Sequence, residues 1–127
     1  MPYVRISVPQ ATTTADIQAV SNAVHQALVD AFNVPLPDRF HMVHRHAADE
    51  LICTDEFLGV RHSSHIVLLH IAVSVGRSLE MKKALYARIA ADVAAASSFA
   101  AADVIINLSE TSRENWSFGD GVAQYAV

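Results

Sequence analysis

The sequence predicts an α/β fold in which two strand–helix–strand units follow one another and build a four-stranded mixed sheet, with two helices on one face. Three observations carry that expectation. Val4, Ile6 and Val8 alternate with Tyr3, Arg5 and Ser7, the period of a half-buried strand. Ile17, Val20, Val24, Leu28 and Phe32 then recur at three- and four-residue spacing, the stripe of an amphipathic helix. The same pair of periods returns between His65 and Leu108.

Pro2 stands at the start of the first strand, where no ladder donor is needed. Thr12, Thr13 and Thr14 offer capping hydroxyls for the first helix, and Asp16 falls in its first turn. The helix is expected to run to about Ala31, because Asn33 accepts a left-handed cap and Pro35 blocks continuation. Residues 39–46 read as the second strand, with Phe40, Met42, His44 and His46 on one side. Residues 47–64 read as irregular, with a short strand at 50–54 and a turn at Gly59. A strand over 65–74 follows, rich in β-branched residues and ended by Gly76. Ser78 caps the second helix, whose stripe is Met81, Leu85, Ile89 and Val93 and which fades over 94–98. Residues 103–108 complete the second unit. The segment 115–127, with Trp116, Phe118, Gly119, Gly121 and Tyr125, reads as a turn leading into an edge hairpin.

The expected organisation is one domain over 1–127, with halves at about 1–48 and 63–110. Two helices cover only one face of such a sheet. The other face is expected to be rich in Val, Ile and Leu and to be covered by further subunits.

Composition narrows the function. With 52% apolar residues the chain can fill a core, which excludes disorder. A net charge of −4 and the lack of a basic stripe argue against nucleic acid and against a membrane surface. The apolar run over 66–75 is interrupted by His70 and is too short to span a bilayer. No leader pattern is present and Cys53 has no partner, so a reducing, cytoplasmic setting is expected. His41, His44, His46, His62 and His65 lack the spacing of a closed zinc site, and no motif surrounds Cys53, so neither a metal nor a thiol nucleophile is expected.

Pro2 is the residue with the most distinctive chemistry. Aminopeptidases remove an initiator methionine that precedes a small residue, which would leave Pro2 as a secondary amine on a rigid strand. An α-amino group titrates near pH ~8, and burial or nearby cations lower that value. Such an amine can serve as general base, general acid or imine-forming nucleophile.

The amino-terminal proline, the tandem units and several local motifs together resemble the tautomerase superfamily, and within it the malonate semialdehyde decarboxylase family. The motifs are Ala31-Phe32-Asn33-Val34-Pro35 followed by Asp38-Arg39, the turn from Gly59 to Ser63-Ser64, Ile66-Val67-Leu68-Leu69, and Asn115-Trp116-Ser117-Phe118-Gly119. The resemblance implies a homotrimer without cofactor that acts on a small oxo acid. It implies Pro2 and Asp38 as catalytic residues and Arg77 as one of two arginines that bind the substrate carboxylate. The first arginine of that pair falls on Val75, and the proline between the two falls on Gly76. Arg39 is the reserve anchor beside Asp38, and Trp116 and Phe118 are expected to wall the pocket. The implied activity is decarboxylation of a malonate semialdehyde-like acid. The alternatives are keto–enol tautomerisation or hydration of 2-oxo acids, or a non-catalytic trimeric binding protein.

Overall fold

A computed structural model describes residues 1–126. The first unit is β1 (Tyr3–Pro9), α1 (Thr14–Phe32) and β2 (His41–His46). A small hairpin of β3 (Glu56–Phe57) and β4 (Val60–Arg61) follows, and then the second unit, β5 (Val67–Ser74), α2 (Leu79–Ala96) and β6 (Val104–Thr111). The four long strands form one sheet in the order β2-β1-β5-β6. Within each unit the strands are parallel, as a helical crossover requires. The units meet along an antiparallel seam, β1 against β5, with Tyr3 opposite Ala72 and Ile6 opposite Leu69. The sheet is therefore mixed, as expected.

Local chemistry sets the helix ends. Thr13 caps α1 by accepting the Asp16 N–H, and Asn33 closes it at φ 56°, before Pro35. Ser78 caps α2 by accepting the Met81 N–H at 3.2 Å. This helix continues through the alanines to Ala96, and the Ser97 hydroxyl then donates to Val93 O. The stripes Val20, Val24, Leu28 and Leu85, Ile89, Val93 pack with Val4, Ile6, Val8, Ile71 and Val73, and all of these are 0% exposed. At about 1.5–3 kcal/mol for each fully buried aliphatic side chain, this one layer holds the sheet to its helices.

Three expectations change. No strand forms at 50–54; the short hairpin lies downstream because Leu58 (φ 51°) and Gly59 (φ 83°) make its two-residue turn, and consecutive positive φ angles match the twist of paired strands. Second, the sheet face away from the helices is not rich in Val, Ile and Leu. The register places Arg5 beside Met42 and His70, Ser7 beside His44, and His70 beside Asn107 on that side. Most aliphatic residues of β1 and β5 are used on the helix side, and Met42, Leu68, Ala72 and Ile105 are the apolar residues left among polar ones on the open face. Third, no strand follows Thr111 among the described residues. Residues Arg113–Asn115 form a 3-10 turn, and Gly119, Asp120 and Gly121 at positive φ wind the chain. Gln124 then bonds back to Phe118 N and Gly119 O, in place of the hairpin expected over 115–127. Val127 lies outside the described residues.

Candidate active site

The antiparallel seam brings the amino terminus of β1 to the carboxyl end of β5. The start of the chain, the Asp38 loop, the segment from Ser74 to Arg77 and the chain after β6 therefore converge at one end of the sheet. Pro2 is buried there. The amine of Met1 lies 4.0 Å from Asp38 Oδ2, with the two partners' side chains 6% and 8% exposed. Burial lowers the pKa of this amine most. Asp38 opposes the shift, and the charges of Arg77 and Arg113 add to it. Burial also raises the pKa of Asp38, and the amine and His25 pull it back.

Asp38 is held by its loop. Its N–H donates to Pro35 O at 2.9 Å. Behind the loop, His25 Nε2–H donates to Leu36 O at 2.7 Å. His25 is 1% exposed and comes from the apolar stripe of α1, so that stripe carries the one polar group that pins the loop. The second carboxylate oxygen of Asp38, Oδ1, is buried without a protein partner and is free to accept from a ligand or water.

Arg77 precedes the cap of α2. Its guanidinium donates to Ser74 O at 2.9 Å and to Phe32 O at 3.2 Å, and it stacks over the Phe32 ring at 5.1 Å. Two of its five donors thus tie the end of β5 to the end of α1. Arg39 is not brought to this cluster: it is exposed and donates to Asn22 on α1 at 2.7 Å.

The aromatic wall forms as a chain. Trp116 Nε1–H donates to Thr111 Oγ1 at 2.7 Å, and its ring stacks on Phe118 at 5.7 Å. Phe118 in turn meets Phe40 at 5.9 Å and Tyr125 at 5.1 Å. Arg113 lies over Tyr125, 4.9 Å from the ring centroid. Sequence reasoning had not assigned Phe40, Tyr125, Arg113 or His25 to this site. Nothing in their spacing marks them, because each arrives through a loop or a core stripe.

A cavity of about 460 Å³ at this end is lined by Val75, Ser112, Arg113, Glu114, Tyr125 and Ala126. Two larger cavities, of about 670 and 580 Å³, sit around Cys53 and His62. They border Val104 and Pro9, at the opposite ends of β6 and β1 from Asp38 and Arg77.

Known proteins share this fold. A family model described as "Tautomerase enzyme" matches residues 38–119, and a second of the same description matches residues 2–61. The Bacillus subtilis (strain 168) protein "Probable tautomerase YusQ" is 31% identical over 124 residues, 98% of each chain. Among solved structures, FG41 malonate semialdehyde decarboxylase inhibited by 3-bromopropiolate is 33% identical with a TM-score of 0.91, covering 97% of this chain and 93% of that one. A second malonate semialdehyde decarboxylase, described with decarboxylase and hydratase activities, is 34% identical with a TM-score of 0.90, covering 97% and 95%. Whole-chain identity at this level, with a shared fold, makes the chain a member of the tautomerase superfamily, of the malonate semialdehyde decarboxylase-like kind.

Proposed function

We propose that this protein decarboxylates a small 3-oxo acid of the malonate semialdehyde type, with Pro2 as its catalytic amine once Met1 has been removed. The observation that carries the proposal is buried Pro2 beside Asp38: the Met1 amine one residue before it lies 4.0 Å from Asp38 Oδ2, and burial with the charges of Arg77 and Arg113 lowers that amine's pKa. A protonated amine there polarises the aldehyde oxygen. When the C–C bond to the carboxylate breaks, its electron pair moves onto the carbonyl and carbon dioxide leaves. The resulting enol takes a proton on carbon, yielding an aldehyde one carbon shorter. A neutral amine reaches the same end by condensing with the aldehyde, with loss of water, to an iminium ion that draws the same electron pair; the enamine left behind takes a proton on carbon, and water hydrolyses the iminium to free the aldehyde and the amine. Arg77 holds the carboxylate, Asp38 orients the ammonium or a water, and Trp116 and Phe118 keep the pocket dry.

Val75, on the cavity wall where the family's first arginine would fall, favours a second reading: keto–enol tautomerisation or hydration of a 2-oxo acid. That chemistry needs a neutral amine as base, and the burial and neighbouring arginines that lower the pKa of the Met1 amine act in the same sense on an amine at Pro2. The sheet face left open by α1 and α2 supports a homotrimer. A trimer that only binds small acids is the non-enzymatic alternative.

Intact-mass analysis of untagged protein, followed by turnover assays on 2-oxo and 3-oxo acids, tests the proposal. Loss of Met1 and carbon dioxide release from the 3-oxo acid are expected. Pro2→Ala should lower kcat/KM at least about tenfold, close to 1.4 kcal/mol of transition-state stabilisation, with the sheet intact because Pro2 donates no ladder bond. A retained Met1, or unchanged turnover by Pro2→Ala, would overturn the amine mechanism.

A further inference from the structure

The end of the sheet that holds the amine carries a cation without an assigned task. Arg113 opens the 3-10 turn after β6. The Val75 N–H donates to Thr111 O at 3.0 Å and draws the loop after β5 against the end of β6, so Val75 and Arg113 line the same cavity. Among the described residues, four ion pairs form and none includes Arg113 or Arg77. Arg77 has two donors committed to main-chain carbonyls, whereas Arg113 donates no hydrogen bond to the described protein and rests only on the face of Tyr125. A guanidinium supported on an aromatic face keeps its planar fork free for a carboxylate. Glu114 shares the cavity but makes no ion pair with it.

We propose that Arg113 is a carboxylate-binding residue of this site, reaching over Tyr125 into the cavity it shares with Val75. The inference deepens the reading of the site as one for small oxo acids. The guanidinium absent at Val75 is thereby supplied from the end of β6, on another wall of the same cavity. Its charge also acts on the Met1 amine, as the last of the influences that lower that amine's pKa after burial and Arg77.

Malonate, an unreactive short carboxylate, is the probe, and titration calorimetry on the whole protein is the measurement. Arg113→Gln should weaken malonate binding about tenfold or more, while Lys83→Gln, which removes an exposed charge from α2, should leave it within about twofold. Val75→Arg placed in the Arg113→Gln background should restore most of the loss, because Val75 is 58% exposed and faces the same space. A purely structural role for Arg113 gives no such rescue. Equal binding by parent and Arg113→Gln, or no millimolar binding by the parent, would overturn the assignment. If malonate binding depends on Arg113 while no oxo acid is turned over, the carboxylate site stands and the proposed reaction fails. If turnover is found but malonate binding ignores Arg113, the reaction stands and this assignment fails.

Discussion

Replacing Asp38 with Asn keeps the shape of the side chain and removes the charge opposite the amine. At 4.0 Å the two unit charges attract by about 4 kcal/mol at an effective dielectric of ~20, and this is an upper bound. Salt and water reduce it to roughly 1–2 kcal/mol. The sign is fixed by the other influences. Asp38 is the group that raises the amine's pKa, whereas burial, Arg77 and Arg113 all lower it. Asp38→Asn therefore leaves three depressing influences unopposed, and the amine should titrate lower than in the parent. The assay is the pH dependence of amine acylation at low reagent concentration, followed by mass. The acidic limb of kcat/KM should move in the same direction. An amine pKa that stays put or rises in Asp38→Asn would show that the carboxylate does not act on it.

Two further predictions concern stability. Arg77→Lys should lower stability by about 1–3 kcal/mol in urea unfolding, because an ammonium cannot bridge Ser74 O and Phe32 O with a planar fork, and it should also weaken carboxylate binding; unaltered stability would mean that those bonds contribute little. His41 has its pKa lowered to about 4, chiefly by burial, with Arg39 and His25 adding to the effect. The unfolded chain then binds a proton that the folded one refuses, so stability should fall as pH drops from about 6.5 to 4, by roughly 1–2 kcal/mol after allowance for partial exposure. Asp38, whose pKa is raised, works in the opposite sense and offsets part of this. His41→Gln should flatten melting temperature against pH in that window, and a parent-like slope would refute the assignment.

The framework was legible in the sequence because its signals are local. β1 alternates cleanly, α1 and α2 carry stripes and caps within a few residues of their ends, and Asp38 follows a Pro-rich loop that can take few shapes. The candidate site residues Pro2, Asp38, Arg77, Trp116 and Phe118 were named through the family motifs and not through periodicity. Arg113 lies in the 3-10 turn just past β6, and Tyr125 follows a segment shaped by glycines at positive φ and side-chain bonds from Gln124, neither of which leaves a periodic trace. His25 was hidden for another reason: it occupies a position in the α1 stripe, where period alone cannot tell a polar clamp from a core residue. The open sheet face was misjudged because strand composition says which residues are apolar but not how they divide between two sides.

The seam between β1 and β5 acts as a ruler. Tyr3 lies opposite Ala72, so the start of the chain and the segment from Ser74 to Arg77 are spaced by a count of ladder rungs. A slip of one rung would turn Val4, Ile6 and Val8, each fully buried, out of the core. A slip of two would keep them inside but displace the amino terminus by about 6.6 Å relative to Arg77. The placement of the amino terminus is thus decided by three aliphatic residues on the helix side of the strand. Substitutions at Val4, Ile6 or Ile71 that loosen this register would disable the site while leaving every polar residue in it unchanged.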